Sequence, residues 1–172
     1  MTDDVRLPDP VAAARALPSG SLVIVRARDA AKRAVLASQL RTIAWTRSLV
    51  LLVADDPALA RAIGANGLHL PEARAHQAAH WRAENPGWLI TAAAHSLGAV
   101  LKAGHADAVL LSPVFATDSY KNAAALSAAR ARLIARAVTT PVFALGGVTA
   151  KNAALLSGFA GIAAISALNP TS

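Results

Sequence analysis

The chain has no cysteine, and aromatic residues make up only 4% of it. The absence of thiols excludes disulfides, thiolate metal sites and a cysteine nucleophile. Few aromatic rings leave few platforms on which nucleic-acid bases could stack. The net charge of +7 comes from basic residues that are spread along the chain, so no nucleic-acid partner is expected. The arginines either keep helix surfaces soluble or bind an anionic substrate.

Long hydrophobic runs are also missing, although 55% of the residues are hydrophobic. No apolar stretch approaches the roughly 20 residues that span a bilayer. The first residues, Met1–Asp4, lack the basic and apolar segments of a signal peptide. We therefore expect a cytoplasmic protein that makes no membrane contact. A length of 172 residues fits one domain, residues 1–172, better than two.

Short apolar runs alternate with longer alanine-rich amphipathic runs from Leu22 onward. This alternation is typical of βαβ units around a buried parallel sheet. The predicted strands are Leu22–Val25, Leu49–Ala54, Gly67–Leu70, Leu89–Ala92, Ala108–Leu111, Val142–Leu145 and Gly161–Ile165. The predicted helices are Pro10–Leu17, Ala30–Trp45, Pro57–Ile63, Glu72–Ala83, Leu97–Ala103, Ala123–Ala137 and Ala150–Leu156, with N-caps at Asp29 and Ser96.

Three similar segments join the end of a helix to the next strand: Gly64–Leu68, Gly104–Ala108 and Gly158–Ile162. In each, the first glycine suits the left-handed position that ends a helix. Repeated βα units either close into a barrel or spread as a doubly wound sheet, and the pattern alone does not distinguish the two. Both ends are short for an eight-stranded barrel, because Met1–Asp3 is too little for a first strand and only seven residues follow Ile165.

A glycine pair gives the strongest local indication of a ligand. Gly146 and Gly147 follow a buried strand and precede a helix start, so their backbone N–H groups can gather around a phosphate. A second strand of small residues ends at Ile165 and Ser166, and in barrels the loops after the last two strands commonly bind phosphate. The alternative is that the glycines only form a tight turn.

Other polar residues follow the predicted strands. Arg26 and Arg28 are spaced to lie on one side of the chain, where two guanidiniums could face one pyrophosphate, although solvated arginines explain them equally well. Asp55 could ligate Mg²⁺, whereas Asp56 before a proline indicates a helix N-cap. His69 either contacts a ligand or is a hydrogen-bonded core histidine.

A polar loop follows the strand that ends at Leu111. It carries two hydroxyls and a lysine, Thr117, Ser119 and Lys121, which could hold a second anionic group. A plain surface loop accounts for the same residues nearly as well.

Several segments, in their order and spacing, resemble the thiamine phosphate synthase/TenI family: Gly64–Leu70, His95-Ser96, Ala106–Thr117, Pro141–Thr149 with Asn152, and Ala160–Leu168. The resemblance covers about Leu22 to Leu168. By analogy it implies an α/β fold of the TIM (β/α)8 barrel type, truncated at the N-terminal strand and the C-terminal helix.

The resemblance implies a transferase of thiamine biosynthesis, which joins hydroxymethylpyrimidine pyrophosphate to a thiazole phosphate and releases pyrophosphate. Small phosphorylated substrates and Mg²⁺ are the partners that it implies. It implies catalytic contacts from Arg26, Arg28 and Lys121 and a metal ligand at Asp55. The implied substrate-binding residues are His69, Thr117, Ser119, Gly146, Gly147, Ile165 and Ser166.

The segments around the metal depart from the family pattern. Ala54-Asp55-Asp56 stands where the family usually has Asn-Asp-Arg, and a second magnesium carboxylate is absent or replaced by Glu72. Two alternatives stay open: a TenI-like thiazole tautomerase, which needs no metal, and a non-catalytic phosphate-binding paralogue. Pro113 counts against the tautomerase, because those enzymes place a histidine there. A homo-oligomer, in which a neighbouring subunit fills the gap of the missing strand, is a further expectation.

Overall fold

Strands and helices alternate along the chain in this computed structural model, which describes residues 1–117 and 125–168. The strands are β1 Leu22–Val25, β2 Val50–Ala54, β3 Gly67–Leu70, β4 Leu89–Ala94, β5 Ala108–Leu111, β6 Val142–Ala144 and β7 Gly161–Ile162. The α-helices are α1 Pro10–Ala16, α2 Ala30–Arg47, α3 Pro57–Ala62, α4 Ala78–Glu84, α5 Leu97–Lys102 and α6 Ala128–Arg136. Short 3₁₀ turns cover Glu72–Gln77, Ala153–Leu156 and Ser166–Leu168.

Helices α2 and α5 begin at the capping side chains that the sequence predicts. The carboxylate of Asp29 accepts the N–H of Lys32 at the start of α2, and the hydroxyl of Ser96 accepts the N–H of Ala99 at the start of α5. Each cap satisfies a backbone donor that has no partner within the helix. None of the helices among the described residues is long and apolar enough to cross a membrane.

Contacts divide the chain into two compact units. Unit 1 consists of Met1–His69, Asn85–Leu89 and Ile165–Ser172. Unit 2 consists of Leu70–Glu84 and Ile90–Ala164. The single domain expected from chain length stays a prediction.

Unit 1 is built on β1, β2 and β3, which pair in parallel in that order. Val23 and Val25 of β1 pack with Leu51 of β2 against Leu40 and Ile43 of α2 in one buried cluster. Both faces of a parallel strand are covered when helices connect the strands, so its side chains are apolar without alternation. The continuous apolar runs in the sequence have this origin.

Unit 2 carries β4, β5, β6 and β7, again parallel and in chain order. Ile90, Val109, Leu111 and Val142 form part of its buried interior. In both units the carboxyl ends of neighbouring strands lie at the same edge, and residues that follow the strands are brought together there.

The three similar helix-to-strand junctions make the same backbone hydrogen bond. In each, a residue just before the new strand donates its N–H to a carbonyl of the neighbouring strand. Asn66 donates its backbone N–H to Leu51 O, Asp107 to Ile90 O and Ala160 to Val142 O, over 2.7–2.8 Å. In the first two junctions the side chain also accepts: Asn66 Oδ1 from the N–H of Leu51 and Asp107 Oδ2 from the N–H of Ile90. These side-chain oxygens therefore accept backbone N–H groups that would otherwise need a carbonyl of a neighbouring strand.

The two predicted elements that follow β6 are shorter than expected. The helix predicted over Ala150–Leu156 is only the 3₁₀ turn Ala153–Leu156. Asn152 explains this, because its side chain bonds the N–H of Thr149 and the carbonyl of Gly147 and so competes with helical backbone bonds. The strand predicted to reach Ile165 ends at Ile162, because the carbonyl of Gly146, the next after Ala144 on the side that faces β7, accepts from Phe115 instead.

Candidate functional site

Unit 1 places three of the predicted site residues side by side at the carboxyl edge of its strands. Val25, the last residue of β1, is opposite Val53 of β2, and Arg26 and Ala54 are the residues that follow them. Ala54 is in turn opposite His69 of β3. The backbone N–H of Asp55 donates to His69 O over 3.0 Å. Arg26, Asp55 and His69 therefore share one edge, as the sequence predicts for residues that follow parallel strands.

Asp55 adopts an unusual backbone conformation, with φ of +56°. This left-handed region is uncommon for residues other than glycine, although aspartate tolerates it better than most. Backbone strain of this kind concentrates at functional sites, where the surrounding structure maintains it. Its conformation makes Asp55 a stronger candidate for a functional role than its sequence context alone does.

The adjacent Asp56 has a structural task. One of its oxygens caps α3 by accepting the N–H of Leu59 at 3.0 Å, and the other accepts from Arg33 at 2.9 Å. The interpretation of Asp56 as an N-cap is confirmed. Its carboxylate is engaged within unit 1, whereas Asp55 remains the candidate metal ligand.

His69 is buried, with 6% of its surface exposed. Burial, and after it the positive charges of the N-terminal amine and of Arg26, lower its pKa to about 4. The imidazole is therefore neutral near pH 7, and a neutral ring can donate one hydrogen bond and accept another. A neutral donor and acceptor suits a polar but uncharged part of a substrate.

The two arginines differ in how they are held. Arg26 Nη1 donates to Asp3 Oδ2 at 3.0 Å, and Thr2 Oγ1 bonds both the N–H and the carbonyl of Arg26, at 2.8 and 2.9 Å. Arg28 is exposed, and its backbone N–H donates to Asp4. Sequence reasoning did not identify Thr2 and Asp3 as site residues. No local pattern could have revealed them, because their contacts with Arg26 join residues 24 and 23 positions apart.

In unit 2 the glycine pair is fixed against the loop that follows β5. Gly146 and Gly147 have φ of +93° and +64°, and a Cβ on Gly147 would lie 2.8 Å from Phe115 Cβ. The N–H groups of Val114 and Phe115 donate to Leu145 O and Gly146 O. Both a left-handed turn and the close approach of the two loops therefore require glycine. The tight-turn interpretation accounts for these glycines by itself.

The same turn presents backbone donors. Among the described residues, the N–H groups of Gly146, Gly147 and Val148 donate no hydrogen bond to one another or to other residues. Asn152 fixes the turn by accepting from Thr149 N and donating to Gly147 O, each at 2.8 Å. Successive N–H groups in such a turn form a concave anion site. The phosphate interpretation of the glycine pair thus has a structural basis beside the tight turn.

Glu72 and His95 form a pair that the sequence analysis did not identify. Glu72 Oε2 accepts from the backbone N–H of His95 at 2.7 Å and lies 2.6 Å from its Nδ1. Glu72 follows β3 and His95 follows β4, so both are near strand ends. A carboxylate held in this way orients the imidazole of His95, and Glu72 is occupied with that contact.

The remaining candidate residues lie in the loop after β5 and after β7. Thr117 is half-buried at the end of the described part of its loop, and Ser119 and Lys121 lie outside the described residues. Ile165 is buried, and the exposed Ser166 begins a 3₁₀ turn in unit 1. The predicted joint phosphate pocket of Gly147 and Ser166 draws on both units and stays a prediction.

The family model described as thiamine monophosphate synthase matches residues 4–168 of the chain. The chain belongs to this family. A putative thiamine-phosphate synthase 2 of Aquifex aeolicus is 32% identical over 132 residues, which cover 74% of this chain and 70% of that protein. A thiamine-phosphate synthase of Methanoculleus marisnigri is 37% identical over 134 residues, which cover 75% of this chain and 64% of that protein. The chain thus spans about two thirds of the length of these relatives.

A solved structure with a similar name agrees with the fold. The thiamine phosphate pyrophosphorylase of Pyrococcus furiosus superposes with a TM-score of 0.76 at 26% identity, over 96% of this chain and 83% of that one. The predicted fold class, α/β with the parallel strand order of a TIM-type barrel, is confirmed.

Asp55 is the carboxylate in unit 1 at which the thiamine monophosphate synthase family leads us to expect a metal ion. Within residues 1–117 and 125–168, no group of three or more His, Asp or Glu side chains could hold an ion on its own. Mg²⁺ commonly binds through one or two carboxylates together with substrate phosphates and water. Asp55 provides an oxygen donor of the kind that Mg²⁺ prefers, so the residues present fit an ion that arrives with a pyrophosphate.

Proposed function

We propose that the chain joins a hydroxymethylpyrimidine pyrophosphate to a thiazole phosphate, as the names of its relatives and its family membership suggest. In this transfer the bond between the pyrimidine methylene and the pyrophosphate oxygen breaks, and the thiazole nitrogen forms a bond to the methylene. Pyrophosphate leaves with the electron pair. The observation that carries the proposal is the shared edge of Arg26, Asp55 and His69 in unit 1.

Arg26 and Arg28 are proposed to bind the pyrophosphate, with Lys121 as a further cation. Guanidinium groups pair with phosphate oxygens through charge-assisted hydrogen bonds, and these strengthen as negative charge develops on the leaving group. Asp55 would hold Mg²⁺ at the same pyrophosphate, and the ion would neutralise part of the leaving charge. The left-handed backbone of Asp55 supports this role.

His69 is proposed to contact the pyrimidine. Its lowered pKa keeps the ring neutral near pH 7, so it can hydrogen-bond an uncharged heterocycle without adding a second positive charge beside Arg26. The N–H groups of Gly146, Gly147 and Val148 are proposed to bind the phosphate of the thiazole. Thr117, Ser119, Ile165 and Ser166 are the remaining proposed substrate contacts.

The proposal is tested by calorimetric titration and by a coupling assay that detects thiamine phosphate. The wild-type chain should bind the pyrimidine pyrophosphate only with Mg²⁺, bind the thiazole phosphate with or without it, and form product from both. Asp55→Asn should lose the Mg²⁺ dependence and at least about 100-fold in turnover, since a missing charge-stabilising group costs roughly 10²–10³.

Asp56→Asn is the matched control, because it removes the same charge one residue away and its amide oxygen can still cap α3. It should retain turnover within a few-fold of the wild type. Binding of the thiazole phosphate alone, with no product, would contradict the transferase and favour a tautomerase or a binding protein. Equal losses in the two variants would contradict the role of Asp55.

A further inference from the structure

We propose that Asp3 is a positioning residue for Arg26, and that it selects the guanidinium orientation in which Arg26 binds the pyrophosphate group. The inference rests on the proposed function, since it assigns to Arg26 a contact with that group. Neither the sequence motifs nor the family match assigns a role to Asp3. Seven hydrogen bonds within unit 1 support it.

The carboxylate of Asp3 is itself held firmly. Its Oδ1 accepts the backbone N–H groups of Val5 and Arg6 at 3.2 and 3.1 Å. Its Oδ2 accepts from Arg6 Nη2 at 2.6 Å. The hydrogen bond from Arg6 holds the pKa of Asp3 well below its usual range. With only 11% of its side chain exposed, Asp3 is a fixed negative charge rather than a mobile surface group.

Thr2 contacts the backbone of Arg26, and Asp3 contacts its side chain. Thr2 Oγ1 bonds the N–H and the carbonyl of Arg26, and the backbone N–H of Thr2 donates to Ile24 O at 2.9 Å. Asp3 then accepts from Nη1 of the guanidinium. The main chain of Arg26 is thus fixed at the strand end, and the direction of its side chain is set by the next residue of the same segment.

This pairing leaves Arg26 able to bind an anion. A guanidinium has five N–H donors, and the contact with Asp3 uses Nη1 alone. The Arg26 side chain is 46% exposed, whereas Asp3 is largely covered. Arg6 shares the same carboxylate oxygen, so the cluster of Arg6, Arg26 and Asp3 keeps a net positive charge. Asp3 therefore orients Arg26 without neutralising the cluster.

Variants of the full chain test the inference with Mg²⁺-pyrophosphate and the pyrimidine pyrophosphate as probes. Asp3→Asn should weaken binding of both about tenfold, because an unoriented arginine must be ordered by the ligand. Binding of the thiazole phosphate should stay within twofold, which general damage to the fold would not allow. Asp3→Glu, which keeps the charge, should recover most of the lost affinity.

Asp4→Asn is the matched control, since it makes the same charge change on the adjacent residue, whose only described contact is with the backbone N–H of Arg28. It should bind pyrophosphate within twofold of the wild type. Arg26→Gln should weaken binding by itself, and Asp3→Asn should add nothing in the Arg26→Gln background, because the effect of Asp3 passes through Arg26. Additive losses would overturn the inference.

The outcomes separate the inference from the proposed function. If Arg26→Gln loses pyrophosphate binding while Asp3→Asn binds as well as or better than wild type, Arg26 is a ligand contact and the positioning role is wrong. If the wild type does not bind pyrophosphate at all, both proposals fail. A ligand-free measurement checks the orientation directly: the Nε–H resonance of Arg26 should broaden in Asp3→Asn and stay sharp in Asp4→Asn.

Discussion

At the scale of single residues, His69 shows how an interior position alters chemistry. The sequence allowed His69 to be either a core residue or a ligand contact. In the structure its side chain is buried, and it lies at the strand edge that also carries Arg26 and Asp55. Its neutral ring follows from burial and then from the positive charges of the N-terminal amine and of Arg26. The same burial links the charge of this one side chain to the stability of the whole fold.

We expect His69 to make the protein less stable in mild acid. Its pKa of about 4 in the folded state lies below the value of 6.5 for an exposed histidine, so between these pH values the unfolded chain binds more protons. The stability is complete above pH 6.5 and falls as the pH drops towards 4. The loss should reach about 3 kcal/mol, at roughly 1.4 kcal/mol per unit of pKa.

Denaturant titrations at pH 7 and pH 4.5 measure this loss. In His69→Gln the difference between the two pH values should shrink, because the variant has no proton to take up at this position. His76→Gln is the control, since His76 is exposed on a 3₁₀ turn. A pH dependence that is unchanged in His69→Gln would show that other groups cause the acid sensitivity.

At the scale of elements, the loops after β5 and β6 depend on each other for their shape. We expect Gly147→Ala to destabilise the chain by about 2–4 kcal/mol, because the new methyl group meets Phe115 and the Ala116 carbonyl and the backbone also has φ of +64°. Gly20→Ala separates the two effects. It has φ of +81° with open space around it, so it should cost only about 1 kcal/mol.

Thermal unfolding of the two glycine variants gives both values. Equal losses would mean that the loops do not resist the added methyl group, and that backbone conformation alone requires glycine at 147. A larger loss at 147 supports a rigid contact between the loops, which would keep the N–H groups of the turn directed towards an anion before it binds.

The elements themselves were largely predictable. β1, β3 and β5 begin and end at the predicted residues, because short apolar runs bounded by polar or glycine residues leave little freedom of assignment. The prediction of a helix that starts at Ala150 was wrong. The side chain of Asn152 bonds the backbone of its own turn, and hydrophobic periodicity gives no sign of such a bond. Asparagine at a helix start favours a cap or a turn, and context decides between them.

At the scale of the whole molecule, net charge should influence how anionic ligands bind. With a net charge of +7, the chain attracts phosphorylated ligands over a distance that salt shortens to about 10 Å at 0.1 M. The affinity for pyrophosphate should fall several-fold between 50 and 300 mM KCl, whereas the unphosphorylated thiazole alcohol should bind with little salt dependence. Titrations across this series check it, and equal slopes for the two ligands would contradict the electrostatic contribution.

The candidate site was less predictable than the fold. Residues that directly follow strands, such as Arg26 and Asp55, could be found from the sequence, since topology alone brings strand ends to one edge. The pairs Asp3–Arg26 and Glu72–His95 join residues 23 positions apart in each case. No local pattern marks such pairs, because they depend on the register between neighbouring segments. The homo-oligomer, the Mg²⁺ ion and the cytoplasmic location stay predictions.

The junction at Asn66 has a consequence for how the protein ages. Asn66 precedes Gly67, and an asparagine followed by glycine is prone to deamidation, because the next backbone nitrogen can attack the side-chain amide with little steric hindrance. Conversion to aspartate would preserve the oxygen that accepts the Leu51 N–H, and the second junction already uses a carboxylate in this way at Asp107. Conversion to isoaspartate would instead lengthen the main chain by one carbon and break the alignment of β3 with β2.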